Sequence, residues 1–387
     1  MYPTITDLLN DLLGIYIPLP VQTFGFFVML AFIGAAITLH KELERKFHLG
    51  LMPGIKKTLI ARARHEWGNY LFPALSGFII GYKLIDAIIY YRELVSDPQG
   101  FILSVRGSTF GGIISMLFSM YLQYRETEAS INSKVKVKEV IVKPQDHLGN
   151  IVMIALIAGL LGAKLFHNLE NIDEFLLNPV EALISFSGLT FYGGLIVATL
   201  ALWVYAIKHQ IYFPHLMDAA APGLMLAYGL GRMGCQLSGD GDWGIVNLAP
   251  KPSWMEFLPD WCWAFRYPNN VIDAGIPIPG CTAAHCNQLE FPVFPTPLYE
   301  SVAGILIFFF LWSIRKRIKN TLVLFSVYLF CNGVERFLIE KIRVNSEYDV
   351  MGGVTQAQII SFIFILLGAG CFFYFRTRPL KPPVMLT

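Results

Sequence analysis

Apolar residues in this chain fall in long unbroken blocks, separated by short polar and often basic stretches. A bilayer core of about 30 Å takes roughly 20 apolar residues in a helix. Nine blocks suit that length: 21–39, 70–91, 107–124, 148–167, 188–207, 216–237, 296–314, 321–342 and 357–375. Backbone groups in hydrocarbon have no water to bond, so each block is expected to be a helix. The pattern predicts an all-α polytopic integral membrane protein with about nine transmembrane helices, forming a single transmembrane domain over 1–387. The longest polar interruption, 238–295, is rich in Pro, Trp and Asn and is expected to be one loop.

Composition supports lipid as the main solvent. Of 387 residues, 55% are hydrophobic and only 15% charged, with a mean hydropathy of +0.52; soluble domains carry about 25% charged residues. A net charge of +2 is too small to indicate a nucleic-acid partner. The distribution of charge is more telling. Loops on one side hold twenty Lys and Arg, among them Lys41, Arg45, Lys46, Arg125, Lys143, Lys208, Arg315, Lys319 and Arg376; the alternate loops hold five, Arg92, Arg106, Lys251, Arg266 and Arg343. Positive charge stays in the cytoplasm. The N-terminus is therefore expected outside, the C-terminus in the cytoplasm, and 238–295 extracytoplasmic. The first twenty residues carry Asp7 and Asp11 but no Lys or Arg, so no signal peptide is expected and the first span should be retained.

A duplicated helix pair is visible. At an offset of 81, Gly81, Lys83, Leu84, Pro98, Ser104, Gly107, Thr109 and Phe110 recur as Gly162, Lys164, Leu165, Pro179, Ser185, Gly188, Thr190 and Phe191. The segments 70–124 and 148–207 are thus expected to be parallel copies. At that offset Tyr192 of the second copy stands where the first has Gly111, and the second copy is the better candidate for activity.

Charged groups within spans are unfavourable and need a reason. Arg232 lies in a Gly-Leu-Gly-Arg-Met-Gly run, where the glycines permit close approach; snorkelling to the interface is the bland reading. Arg336, Glu340 and Arg343 are spaced i, i+4, i+7 and should share one helical face as an ion-pair network, with helix packing as the competing explanation. The Gly239–Gly244 run, with Asp240, reads as a turn and, beside Arg232, could bind a headgroup or position a base. Glu300 falls in the first turn of its helix, which a helix N-terminus favours by itself. Gly193 and Gly194 suggest close helix packing, and His167 ends the fourth block. Loop charge alone places His167, Tyr192, Arg232, Asp240, Glu300 and Arg336 towards the outer leaflet. A pocket there with arginines and carboxylates suits an anionic lipid headgroup. Cys262, Cys281 and Cys286 lie in the outer loop, where one disulfide is permitted; their spacing leaves the pair open. No metal-site spacing is present.

These blocks resemble the prolipoprotein diacylglyceryl transferase family. The resemblance rests on Gly188-Leu-Thr-Phe-Tyr-Gly-Gly-Leu195, Gly229-Leu-Gly-Arg-Met-Gly-Cys235 with Gly239 to Gly244, Pro295-Thr-Pro-Leu-Tyr-Glu300, Arg336-Phe-Leu-Ile-Glu-Lys-Ile-Arg343 and Gln358-Ile-Ile-Ser361. It implies a bacterial inner-membrane enzyme that moves the diacylglyceryl group of phosphatidylglycerol to the lipobox cysteine of prolipoprotein signal peptides and releases glycerol phosphate, without cofactor or metal. The implied catalytic residues are Tyr192, Arg336, Asp240 and Glu300. The implied binding residues are Arg232, Gly193, Gly194, Gly244, Glu340, Arg343 and His167, with membrane lipids as further partners.

The chain departs from the family pattern at Tyr192, where a histidine is usual, and at Cys235, where an asparagine is usual. It also has Phe24 where the family has tyrosine before Gly25, and one extra residue between Asp240 and Gly244. A phenol is a poor base at neutral pH, so Asp240, Glu300 and His167 remain alternatives for that role. The family core has seven spans, which a duplicated pair would raise to nine. A lipid or solute transporter and a catalytically inactive lipoprotein-binding member are the competing readings.

Overall fold

The computed structural model describes residues 1–60, 65, 67–132, 137–184, 190–344, 347–348 and 354–378. In chain order its elements are α1 (Ile5–Leu13), α2 (Thr23–His48), β1 (Ile55–Ile60), α3 (Gly68–Ile89), α4 (Tyr91–Ser96), α5 (Pro98–Leu103), α6 (Thr109–Asn132), β2 (Val137–Val142) and α7 (Leu148–Glu170). They continue with α8 (Ile172–Leu177), α9 (Pro179–Ile184), α10 (Phe191–Lys208), α11 (Phe213–Ser238), β3 (Ile276–Pro277), β4 (Asn287–Gln288), α12 (Thr296–Ile314), α13 (Val323–Ile339), β5 (Glu347–Tyr348), β6 (Val354–Thr355) and α14 (Gln356–Thr377). The strands form three two-stranded sheets, β1–β2, β3–β4 and β5–β6.

The chain is a mostly helical, multi-pass membrane protein. Among the described residues, α2, α3, α12, α14 and the stretch Pro144–Glu170 are long and apolar enough to cross a membrane. Long helices also occupy the other four apolar blocks, as α6, α10, α11 and α13. The last two carry Asp218, Arg232, Glu335 and Arg336, which membrane insertion alone disfavours.

Contacts divide the chain into two units, one of Tyr2–Phe26 and Lys56–Ile141, the other of Met1, Phe27–Ile55 and Val142–Thr387. The first holds the tight α3–α6 hairpin. A Cβ on Gly81 would lie 2.4 Å from the Gly111 carbonyl oxygen, and one on Gly111 would lie 2.6 Å from that of Gly81. The second unit holds the hairpin α7–α10, where Gly162 and Gly193 stand in the same relation at 2.6 and 2.7 Å. Small residues allow this approach, which dispersion then rewards.

The two hairpins share a sequence of elements: a long helix, two one-turn helices and a second long helix. The short helices keep the offset of 81, but the second long helix is displaced by 82. The Ser108 amide donates to the Tyr82 carbonyl, whereas Thr190 donates to Ala163. Gly111-Gly112 therefore corresponds to Gly193-Gly194, and Tyr192 to Phe110. The constant offset expected from sequence misses this extra residue. Gly188 and Ser185 lie outside the described residues, and α10 starts at Phe191.

The second unit also holds most of α2 and the helices α11 to α14. Gly229 and Gly304 bring α11 and α12 together, leaving 3.0 Å between a Cβ on Gly229 and both Ile305 N and the Ser301 carbonyl oxygen. Met225, Phe308, Leu311 and Leu324 form a core cluster there. Gly239, at φ +68°, ends α11 in the left-handed cap that glycine adopts without strain. In the loop that follows, Tyr267 is fully buried and its hydroxyl donates to Gln236 Oε1 at 2.7 Å. Cys281 and Cys286 form the disulfide, leaving Cys262 a buried thiol.

Gly229→Val should destabilise the protein by about 1–3 kcal/mol, because its added carbons meet backbone that cannot yield. Gly231→Ala, where a Cβ meets nothing within 4 Å, should not lower the thermal unfolding midpoint of the purified protein. A Gly229→Val midpoint equal to wild type would contradict the close α11–α12 packing.

Candidate active site

Glu300 is the centre of the polar cluster. It is the fifth residue of α12, just past the first turn where the sequence pattern puts it, and is fully buried. Arg232 of α11 approaches its Oε2 through Nε at 3.3 Å. Arg336 of α13 donates Nη1 to Oε1 at 3.1 Å. Arg343, beyond the helix end, donates Nη1 to Oε1 at 3.1 Å and to Oε2 at 3.3 Å. The Tyr228 hydroxyl, one turn before Arg232, lies 3.1 Å from Oε1 and 3.2 Å from Glu335 Oε1. A carboxylate has two oxygens and about four lone-pair sites. Glu300 Oε1 accepts from three donors and Oε2 from one, with Arg232 Nε beside it, so its charge is shared by all three guanidiniums.

Glu340 and Asp242 complete the ion set. Arg336 Nη2 is 2.8 Å from Glu340 Oε2, while Thr355 Oγ1 donates to Glu340 Oε1 at 2.7 Å. Asp242 bridges the other two arginines, its Oδ2 to Arg232 and its Oδ1 to Arg343. Three guanidiniums thus face three carboxylates. Glu300 and Glu340 have no exposed side-chain surface, whereas Asp242 is 35% exposed. An incoming anion can displace Asp242 far more readily than the other two.

Local backbone explains how loop and helices meet. The α-helical part of α13 ends at Ile339, and Glu340–Ile342 forms a 3-10 turn. Arg343 follows in extended conformation, φ −98°, ψ 148°. It therefore does not share a helical face with Arg336 and Glu340, as the i, i+4, i+7 spacing suggested; the tighter turn swings it onto the loop. There it forms a bridge with Gly244. The Gly244 amide donates to the Phe294 carbonyl and Ile245 donates to Ile342, both at 2.9 Å, while Thr296 Oγ1 donates to the Asp242 carbonyl at 2.9 Å. A Cβ on Gly244 would lie 2.4 Å from the Ile342 oxygen, so only glycine fits.

Asp240 lies beside this set rather than in it. Its Oδ1 accepts the Asp242 amide at 3.4 Å, and burial pushes its carboxyl above the ordinary carboxylate range, against the lowering effect of the Cys235 thiol. Cys235, Asp240 and Asp242 each place a ligand atom within 4.8 Å of the others, a geometry able to hold a cation. Such an ion would compete with Arg232 and Arg343 for Asp242. Tyr192, at the start of α10, is within electrostatic reach of Arg336, Glu340 and Arg343. Gly193 and Gly194 pack on α7, with Cβ positions 2.7 and 2.8 Å from the Gly162 and Gly159 oxygens. His167 bonds instead with Asn171, ring Nδ1 to side-chain amide at 3.3 Å.

Sequence reasoning did not single out Asp242, Tyr228 or Glu335. The extra residue between Asp240 and Gly244 was the available signal for Asp242. Tyr228 is four residues before Arg232 and so on its face of α11, but an aromatic residue in a span carries no mark of its own.

The family model for prolipoprotein diacylglyceryl transferase matches residues 129–374. The chain belongs to this family. Among its relatives, the phosphatidylglycerol–prolipoprotein diacylglyceryl transferase of Dehalococcoides mccartyi is 29% identical over 234 residues, covering 59% of this chain and 76% of that one. The enzyme of the same name from Pseudomonas paraeruginosa is 28% identical over 233 residues, covering 59% and 75%. That of Xanthomonas oryzae pv. oryzae is 29% identical over 247 residues, covering 60% and 75%. The family match takes in α7 to α14, including the whole ion cluster, whereas the hairpin α3–α6 lies almost entirely before it.

Glu300→Gln should cost about 3 kcal/mol or more, since removing one partner of a buried pair strands the others; the unfolding midpoint reports it. Asp240 makes the opposite prediction. Its folded pKa is raised, so its contribution to stability is present at low pH and is lost as pH rises through the raised value. Asp240→Asn should therefore stabilise the protein at neutral pH, and the gain should vanish below about pH 4. A pH-independent difference between the two proteins would contradict the burial of this carboxyl.

Proposed function

We propose that this chain transfers the diacylglyceryl group of phosphatidylglycerol to the thiol of a prolipoprotein's lipobox cysteine, forming a thioether and releasing glycerol phosphate. The observation that carries the reading is the convergence of Arg232, Arg336 and Arg343 on one buried carboxylate, with Asp242 as their exposed counter-ion. The names of the relatives support the same substrates.

In this reading the headgroup phosphate takes the place of Asp242 between Arg232 and Arg343. Planar guanidiniums hold two phosphate oxygens at once, which a lysine does not. The lipobox thiol, with an ordinary pKa of about 8.5, must lose its proton before it attacks. Asp240 is the proposed acceptor, because its raised pKa makes it a stronger base than a solvent-exposed carboxylate. The thiolate forms a bond to the glyceryl carbon, and the carbon–oxygen bond breaks with its electron pair going to the phosphate. Arg336 and its neighbours, held by Glu300 before the reaction, stabilise the charge that gathers there. Tyr192 borders the same space as a positioning hydroxyl. Gly193, Gly194 and Gly244 shape its walls, Glu340 orients Arg336, and His167 is assigned to the rim. We further propose nine spans in the bacterial inner membrane, an outward-facing N-terminus and a site opening towards the periplasmic leaflet. The excess of Lys and Arg in the opposite loops supports that orientation.

Arg232→Ala should abolish transfer from headgroup-labelled phosphatidylglycerol to a lipobox peptide while leaving a folded protein; undiminished transfer would refute the reading. Asp240→Asn should lower kcat by about 10²–10⁴-fold, and Tyr192→Phe by far less. A purified protein that binds peptide but releases no glycerol phosphate would instead be an inactive member of the family.

A further inference from the structure

A second group of charges lies at the opposite end of α11. Asp218 and Arg232 are fourteen residues apart on that helix, about 21 Å along its axis. Around Asp218, a cleft is lined by Arg45, Lys46, Arg315 and Lys319, with Leu51 and Leu324 on its apolar side. None of these groups has a role in the transfer chemistry.

Lys46 is the anomaly. Its side chain is only 6% exposed, and its nearest carboxylate oxygen, Asp218 Oδ2, is 3.9 Å from Nζ. Both Asp218 oxygens are already turned towards the start of α13, accepting the amides of Leu322 at 2.8 Å and Phe325 at 2.9 Å. Glu42, the other buried acid nearby, is held by Arg45 and by Arg315, the latter through Nε at 2.6 Å. Among the described residues the ammonium of Lys46 therefore has no hydrogen-bond acceptor within 3.5 Å. An ammonium carries three donors, and burying it without an acceptor is costly. Four cations against two carboxylates leave the cleft with surplus positive charge. His215, bonded to Thr321 Oγ1 at 3.4 Å, adds a polar wall but no carboxylate.

We propose that this cleft is a second anion site, which takes a phosphate group carried by an anionic lipid headgroup or by free phosphate. Lys46 is its buried donor, and Arg45, Arg315 and Lys319 form its rim. The apolar wall beside the cations suits a headgroup whose chains continue into the bilayer, and basic clefts between helix ends recognise lipids in this way. As it stands, the cleft has room for roughly one water molecule. A phosphate group enters when the exposed Lys319 side chain swings aside and then closes over it.

The test uses the full-length protein in a non-ionic detergent, with unfolding temperature as readout and ionic strength held constant. The probes are dihexanoyl phosphatidic acid, dihexanoyl phosphatidylcholine and inorganic phosphate. Phosphatidic acid should raise the unfolding temperature of both the wild type and Arg232→Ala, which separates this site from the arginine cluster; phosphatidylcholine should not. A matching rise with inorganic phosphate identifies a site for the free ion, and a rise with the lipid alone identifies a headgroup site. In the Arg232→Ala background, Lys46→Met should remove the effect, and Lys319→Ala should weaken apparent affinity by about tenfold. If Lys46→Met does not fold, Lys319→Ala decides. No shift with either anion, or unchanged affinity in Lys319→Ala, overturns the proposal whatever the outcome of the transfer assay.

Discussion

A single buried carboxylate holds three guanidinium groups in this protein. Bringing arginine side chains together costs Coulomb energy, which rises steeply where water is excluded. Glu300 offsets that repulsion at Arg232, Arg336 and Arg343 together, and its burial means that no water competes for its oxygens. The helix packing follows from this need. Gly229 and Gly304 let α11 approach α12 closely enough for Arg232 to reach across, and the turn at Glu340–Ile342 releases Arg343 towards the same atom.

The cluster is arranged in depth. Its two inaccessible acids, Glu300 and Glu340, are fixed by several donors, whereas Asp242 sits on a loop between two glycines and keeps a third of its surface exposed. Such a gradient separates what must stay rigid from what must be exchanged. Arginines already oriented by Glu300 would need little reorganisation to meet the phosphate of the proposed substrate, which is the condition for selective stabilisation of a transition state. The same carboxylates neutralise the guanidiniums.

The two hairpins show how duplication and function diverge. In both, a pair of glycines closes the helices face to face, so the packing device is common to both copies. The register differs by one residue in the second long helix, and that residue moves Tyr192 into line with Phe110 instead of Gly111. Only the second copy carries a hydroxyl there, and this hydroxyl lies within electrostatic reach of Arg336. The α3–α6 hairpin keeps the shape, while its polar groups serve local contacts such as Lys83 Nζ donating to the carbonyls of Phe101 and Arg106.

The apolar blocks, read by length alone, located the long helices, because a helix in lipid must be both long and apolar, and that requirement is written residue by residue. The family blocks likewise marked Arg232, Glu300 and Arg336, since charge inside an apolar run stands out. What the chain alone could not decide was which groups share an atom. Arg343 joins Glu300 because a 3-10 turn rotates it off the helix face, Asp242 enters because the loop after α11 carries it between Arg232 and Arg343, and Cys281 rather than Cys262 pairs with Cys286. Nor could the chain alone show that one carboxylate, Glu300, meets guanidiniums from three separate segments. Each of these outcomes depends on distances between segments far apart in sequence, and such distances are set by packing, not by local pattern.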